Sequence, residues 1–595
     1  MLSATVCGLL AVTGANPANS APAARIPGAD ERAVGWARQA LRGMSLEQKV
    51  GQLFVADVWG KSADEVNAGN RTKYGVDTPA EVVEKYHPGG VIYFNNSGTD
   101  NVDDPAQVAH LSNGLQQAAL GSGPRLPLII SVDQEGGRVT RIGAPATEYP
   151  ASMAIGAGRG VEDAKQLAAI NGHELRAMGI TQDFAPDADV NSNPLNPIIG
   201  SRSFSADPTL AADLVAAEIH GYQDSGPATV TVSSAAKHFP GHGDAATDSH
   251  TGLPVINRSA QEWRRIDLPP FQAAIEAGID VIMTAHITVP SLDPSGEPAT
   301  LSEPIMTGIL RDQLHYNGVV VTDSLQMAGV RQLHSDAEIP VLALEAGVDQ
   351  MLMPPDLGVA VNGVLDAVKN GRLSEQRIDT SVLRILELKF KRGIVARPMV
   401  DERAVPQEVG TTAHLDQVQT ITDRTTTVLR NDAGLLPLKN HENILVTGWD
   451  NAQFPGYPAE PVTTLADRLG GTARPTGASP TAAEIAEVTA AAKDAGTVIV
   501  LTNGLRTGGA QRDLVNSLVS TGKPVVAVSV QEPYDPGYAD VATWVATYDW
   551  RDVTMRSLAK VLLGEISPRG RLPVAIPAGD DTAKILYPFG TGLTW

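Results

Sequence analysis

The sequence predicts an α/β protein: an N-terminal (β/α)8 barrel of the TIM type followed by a smaller layered α/β sandwich domain. Three observations carry this. The chain has 595 residues, more than one hydrophobic core organises, so several domains are expected. From residue 30 onward helix-like segments alternate with short apolar runs, eight of them by residue 353, which is the strand count of a closed parallel barrel. Many of those runs also end in chemically capable polar residues, as barrel strands do at their carboxyl ends. A doubly wound open sheet shares the alternation and is the structural rival.

The elements follow in order. Ser45-Leu46-Glu47-Gln48 has the spacing of a capping box and opens a helix. Strand-like runs then occupy residues 53–58, 90–94, 126–132, 182–185, 230–236, 281–285, 318–322 and 350–353. Asp133 follows the third run, and Asp187 and Asp189 lie just past the fourth. Lys237 and His238 stand at the fifth, His286 at the sixth and Asp323 at the seventh. On a barrel these positions converge on one pocket. Each aspartate alone would also serve as a helix N-cap, but capping does not account for lysine and histidine at equivalent places. The barrel is expected over 30–395 and a Pro-containing linker over 396–420. A second domain follows over 421–595, with strand-like runs at 444–447, 497–501, 524–530 and 544–547 and a helix-like segment at 481–495.

Composition narrows the partners. The chain is 43% apolar and 19% charged, ordinary for a globular protein, and long disorder is not expected. Its 67 acidic and 46 basic residues give a net charge of −21, which repels nucleic acid and anionic membranes. Residues 2–14 are small and apolar, and 15–24 read ANPANSAPAA with Ala21-Pro22-Ala23 as a cleavage site. This predicts a secretory leader over 1–29 and a secreted protein, although the first basic residue is Arg25, so the positive n-region is missing. Cys7 is the only cysteine, and no intrachain disulfide can form. No later apolar run reaches the ~18–20 residues of a membrane span.

Residues 237–250, KHFPGHGDAATDSH, are the most informative segment. Three histidines, two aspartates and a lysine fall within it, punctuated by Gly241 and Gly243. Two chemistries suit these residue types. His238, His242, Asp244, Asp248 and His250 have the character of metal ligands. Equally, Asp248 two residues before His250 suits a hydrogen-bonded pair in which the carboxylate fixes the imidazole tautomer and raises its basicity. The residue types alone leave both open.

The segment resembles the signature loop of family 3 glycoside hydrolases, specifically the two-domain β-N-acetylglucosaminidase branch. Residues 131–142 (SVDQEGGRVTRI), 182–191 (QDFAPDADVN), 200–204 (GSRSF) and 318–327 (GVVVTDSLQM) resemble other motifs of the same family in the same order. GRLPVAIP at 570–577 and YPFGTGLTW at 587–595 resemble its second domain. One departure is Ala245-Ala246, where the family loop often carries threonine.

The resemblance implies a retaining exo-acting enzyme that removes terminal β-linked N-acetylglucosamine from peptidoglycan fragments, chitooligosaccharides or glycoconjugates. It implies Asp323 as nucleophile, His250 as general acid and then base, and Asp248 as its assistant. It implies Asp133, Arg141, Arg202, Lys237 and His238 as sugar-binding residues. A carboxylate nucleophile splits one displacement into two through a glycosyl ester, and imidazole can serve as the acid because its ordinary pKa of about 6.5 is near working pH. No metal or cofactor is implied, and a monomer is the favoured state. In the family's glucosidase branch the acid is commonly a glutamate of the second domain. Here the barrel loop supplies it, so the second domain is expected to be structural, and Asp535 and Asp549 are not catalytic candidates. Rival readings are a retaining phosphorylase, a metal-dependent hydrolase, and a non-catalytic cell-wall carbohydrate-binding protein.

Overall fold

The computed structural model describes residues 29–95, 98–439, 442–450 and 459–595. The leader and Cys7 lie outside them. Eight parallel strands form the first sheet: β1 Phe54–Asp57, β2 Gly90–Ile92, β3 Ile129–Val132, β4 Gln182–Asp183, β5 Ser233–Phe239, β6 Val281–Thr284, β7 Val319–Val321 and β8 Met351–Leu352. Their spatial order is their chain order, with β8 beside β1. A parallel bridge between Val321 and Gln350 brings β7 to the start of β8 and closes the barrel. Each strand is buried along its whole length, which is why the sequence shows continuous Val/Ile runs rather than alternation.

The predicted runs coincide with strands, with one informative shift. The fifth was expected over 230–236, whereas β5 runs Ser233–Phe239. Lys237 and His238 therefore lie inside the strand, both buried, and their polar side chains hid the strand's true end from a hydrophobic pattern.

Helices begin where the sequence provides caps. Ser45 and Gln48 form the reciprocal capping box of Leu46–Gln52, and Thr78 and Glu81 do the same for Pro79–Tyr86. Asp104 accepts from the N–H groups of Ala106 and Gln107 at the start of Pro105–Gly121. Such caps satisfy donors that the first helical turn leaves unpaired. Acidic residues that precede strands are held by structural cations. Asp280, before β6, pairs with Arg392 and Lys391, and Asp349, before β8, pairs with Arg311 and Arg384. These carboxylates sit at the opposite ends of the strands from Asp133 and Asp323 and serve the fold.

The second domain is a six-stranded sheet in the order β11–β10–β12–β13–β14–β9. Its strands are β9 Thr427–Asn431, β10 Ile444–Gly448, β11 Thr472–Pro475, β12 Thr497–Thr502, β13 Val525–Ser529 and β14 Thr543–Ala546. All pairs are parallel except β14–β9. Apolar clusters cover both faces of this sheet. Between the domains, residues 396–420 include the helix Val405–Glu408 and the start of Thr412–Thr422, and His414 hydrogen-bonds Glu174 of the barrel at 2.7 Å.

Buried polar contacts join the domains. The Asp549 carboxylate accepts from the N–H of Ala151 at 2.8 Å and from Arg551 N–H at 2.7 Å. Arg551 Nε donates to Gly137 O at 2.8 Å, and Asn191 Nδ2 donates to Tyr534 Oη at 2.9 Å. Asp549→Ala strands two buried N–H donors. It is expected to lower the unfolding free energy by about 1–3 kcal/mol, read from the urea midpoint of the full-length protein.

Candidate active site

The loop after β3 is folded by one side chain. Gln134 Oε1 accepts from the N–H groups of Arg141 and Ile142 at 2.8 and 3.0 Å, and its Nε2 donates to Ile142 O at 2.8 Å. The intervening turn needs glycine. Gly136 has φ 90°, and a Cβ there would lie 2.7 Å from Pro150 O. The turn returns Arg141 to within 3.7 Å of Asp133.

Across the pocket floor lies a network of charges from three strand ends. Lys237 Nζ is 2.8 Å from Asp133 Oδ1 and 2.6 Å from Glu135 Oε1. Arg202 grips Glu135 with Nε at 2.9 Å and Nη2 at 2.8 Å. Its Nη2 also approaches Asp187 at 3.8 Å. His238 Nδ1 is bonded to Asp189 Oδ2 at 2.8 Å, and its Nε2 lies 3.4 Å from Arg202. Burial alone would raise the Glu135 carboxyl. Arg202 and Lys237 overcome that and hold it well below the ordinary range. Asp187 goes the other way. Burial and the charge of Asp189 push it well above the ordinary range.

Asp323 follows β7 and is partly buried, with Oδ1 accepting from Ser324 N–H at 2.7 Å. No helix begins there. The next one is Ala328–Arg331, preceded by Met327, so the N-cap reading of Asp323 does not hold. His286, at the end of β6, donates from Nε2 to Ser324 O at 3.0 Å and is bonded through Nδ1 to Thr300 at 2.8 Å. It thus fixes the peptide that follows Asp323. Burial favours the charge-free carboxyl, but His238, His286 and the Ser324 N–H prevail and hold Asp323 below the ordinary value.

The loop after β5 carries the His250–Asp248 pair. His250 Nδ1 lies 2.7 Å from Asp248 Oδ1, which also accepts from His250 N–H at 2.9 Å. The His250 side chain is 55% exposed, so protons can exchange with solvent. The loop's base is anchored: His242 N–H donates to Asp189 at 2.6 Å, and His242 Nε2 is bonded to Ser249 Oγ at 2.9 Å. Asp244 pairs with Arg258 at 2.8 Å. Gly243 is required, since a Cβ there would meet Val190 O at 1.9 Å. The five loop residues with ligand character do not converge on one point. Among the described residues, the group with ligand atoms close enough to share an ion is Asp187, Asp189 and His238, and only His238 belongs to the loop.

Asp133, Arg141, Arg202, Lys237, His238, His250 and Asp323 all line one cleft of about 440 Å³. Asp248 stands behind His250. Sequence reasoning missed Glu135, which lines the cleft and shares both Lys237 and Arg202. It assigned no role to Asp187 and Asp189, which support Arg202 and His238. The acidic residue in SVDQEGGR two places after Asp133 was the available signal. Arg138 also lines the cleft. Glu532 of the second domain lies 3.6 Å from it and accepts from Ser201 N–H at 3.4 Å. Asp535 is bonded to Thr502 and to Leu505 N–H within the second domain.

Glu135→Gln removes the charge that two buried cations share. Breaking such a pair costs about 3–5 kcal/mol, and the loss is expected in both thermal stability and sugar affinity. The carboxyl is depressed in the fold and ordinary, about 4.3, when unfolded. Its stabilisation is therefore complete above that value and fades as pH falls below it. Wild type and variant should thus differ most in melting temperature at neutral pH and converge in strong acid.

Residues 45–388 match the glycosyl hydrolase family 3 N terminal domain, and residues 426–595 match the family 3 C-terminal domain. Beta-hexosaminidase A of Pseudoalteromonas piscicida is 37% identical over 394 residues, covering 62% of this chain and 63% of the relative. The aligned part therefore spans less than two thirds of that relative's length. A beta-hexosaminidase of Thiobacillus denitrificans is 38% identical over 286 residues, 47% of this chain and 75% of the relative. The solved family 3 beta-N-acetylglucosaminidase of Paenibacillus sp. str. FPU-7 superposes with a TM-score of 0.80 at 34% identity, covering 90% of this chain and 99% of that one. With both of its domains matched in order, this chain belongs to glycoside hydrolase family 3.

Proposed function

We propose that this protein is a retaining exo-β-N-acetylglucosaminidase. One observation carries the reading: a single cleft is lined by Asp323 and by His250, whose ring is bonded to Asp248 behind it, all supplied by the barrel. The relatives named for hexosaminidase and N-acetylglucosaminidase activity support the choice of sugar.

The chemistry follows from the positions. Asp133, Arg141, Lys237, His238 and Arg202 line the cleft beside Asp323 and offer donors and acceptors to the hydroxyls and acetamido group of one terminal sugar. Asp323, held ionised, attacks the anomeric carbon and forms a glycosyl ester. His250 gives its proton to the departing oxygen. Water then attacks the anomeric carbon, His250 takes the water's proton, and the Asp323 carboxylate leaves with net retention. Asp248 holds the imidazole ring through Nδ1 and offsets the positive charge it carries when protonated. The apolar leader segment at residues 2–14 supports an exported enzyme.

Wild-type protein is expected to release free N-acetylglucosamine from an aryl β-N-acetylglucosaminide, in phosphate buffer as in any other. Asp323→Ala is expected to lose activity by on the order of 10⁴-fold or more, and His250→Ala by about 10²–10⁴-fold. Unchanged turnover in the Asp323 variant removes the nucleophile assignment, and sugar 1-phosphate as product replaces hydrolysis with phosphorolysis. The pH profile gives a separate check. Asp323 is held below its ordinary value, so the acid limb of kcat/KM that reports its ionisation is expected below pH ~3.9, the ordinary aspartate value.

A further inference from the structure

The cleft does not end at the sugar-binding cluster. Across Phe94, Gln326 and Met353 it opens into a second hollow of about 520 Å³. The far side of this hollow is formed by Asp57 and Trp59, at and just past the end of β1, and by Lys73. The Asp57 carboxylate is held by Lys73 Nζ at 2.5 Å, Tyr74 Oη at 3.1 Å and Gln326 Nε2 at 3.2 Å. Gln326 lies three residues after Asp323, on the same loop.

Trp59 is half-buried, and one face of its indole is covered. A Cβ on Gly69 would lie 2.4 Å from the ring, and Lys73, one turn further along the helix Ala68–Tyr74, is 5.6 Å from the ring centroid. The ring also lies 6.4 Å from that of Tyr74, and Trp59 lines the hollow. A flat apolar surface beside a fixed carboxylate and a primary amide matches a pyranose ring, which has an apolar C–H face and a hydroxyl rim.

The hollow also lies where a leaving group must go. The groups that hold the terminal sugar come from the ends of β3, β4 and β5, and Asp323 comes from β7. The departing oxygen must also lie beside His250, whose loop meets the β7 loop where Ala328 N–H donates to His250 O at 3.4 Å and Gly329 N–H to Ser249 O at 3.0 Å, so a substituent on the anomeric carbon extends toward the loop that carries Gln326 and Arg331 of the hollow. Charge narrows the ligand further. Among the described residues, the two cations that line the hollow are both paired, Lys73 with Asp57 and Arg331 with Asp336. Neither is left for a carboxylate on the ligand.

We infer that this hollow binds the first residue of the aglycone, an uncharged pyranosyl unit stacked on Trp59 with its hydroxyls on Asp57 and Gln326. The preferred substrates are then neutral β-linked oligosaccharides ending in N-acetylglucosamine. This rests on the glucosaminidase reading above.

The test compares N,N′-diacetylchitobiose with methyl β-N-acetylglucosaminide, whose methyl group is too small to reach Trp59. The wild type is expected to have the higher kcat/KM on the disaccharide. Trp59→Ala is expected to lower that value roughly tenfold and to leave the methyl glycoside unchanged, with Trp59→Phe recovering most of the loss. Equal losses on both substrates make Trp59 a packing residue and overturn the proposal. So does a wild type with no preference for the disaccharide, or one that prefers a disaccharide whose second sugar is N-acetylmuramic acid, with its free carboxylate. A wild type that hydrolyses neither the methyl nor an aryl glucosaminide defeats the glucosaminidase reading itself, a separate outcome seen before any variant is made.

Discussion

The buried ion network of Lys237, Arg202, Asp133 and Glu135 is the constraint on which the site depends. Isolated charges at these depths would be prohibitively unfavourable, and pairing makes them tolerable. Lys237 divides its ammonium between Asp133 and Glu135, and Glu135 also takes both nitrogens of the Arg202 fork. With Asp187 favouring its neutral form, the carboxylates Asp133, Glu135 and Asp189 face the cations Lys237, Arg202 and Arg141. The balance fixes geometry as well as charge. Each group has a partner in the free protein, so the donors and acceptors of the cleft are already oriented for a ligand.

That network exists only because the barrel brings β3, β4 and β5 together and because their loops are held from behind. Gly137 O receives Arg551, Ala151 N–H meets Asp549, Asn191 meets Tyr534, and the turn at Ser201 meets Glu532. Gly137 and Ser201 adjoin the cleft residues Arg138 and Arg202 directly. The second domain thus acts on the chemistry through position. It braces the loops that carry Arg138, Arg141 and Arg202 while the reacting groups stay on the barrel.

The barrel was legible because its parallel strands are buried on both faces and leave long apolar runs in the sequence. Asp323, Lys237, His238 and Asp133 were legible because each stands at the end of such a run. Glu135 was not, because it lies within a turn whose path is set by Gln134 and Gly136 and has no periodicity to read. The shift of β5 has the same origin, since a strand that ends in buried Lys237 and His238 looks like a loop to any hydrophobic pattern. The edge strand β11 was missed for a related reason. Residues 472–475, TARP, are mostly exposed, so they carry no apolar signal. Trp59 left no trace either: one aromatic residue after a strand is ordinary, and only the fold puts it in the wall of the hollow.

The two proposed reacting groups need opposite environments, and the structure provides them by different means. A nucleophile must stay ionised in a site from which water is partly excluded. Asp323 does so because histidines and a backbone N–H outweigh the penalty of its burial. An acid that later becomes a base gives its proton to the departing oxygen and regains one from the attacking water, so it must be reachable by both, and His250 is half-exposed. An exposed loop, however, would let the imidazole wander. The anchor is His242, whose N–H is bonded to Asp189 and whose ring is bonded to Ser249, the residue between Asp248 and His250. Burial holds His242 down to a pKa of about 4, so it stays neutral through the working range, and the anchor does not loosen when His250 changes charge. Asp189 meanwhile holds His238 through its other oxygen. One buried carboxylate therefore ties the sugar-binding floor to the loop that carries the acid.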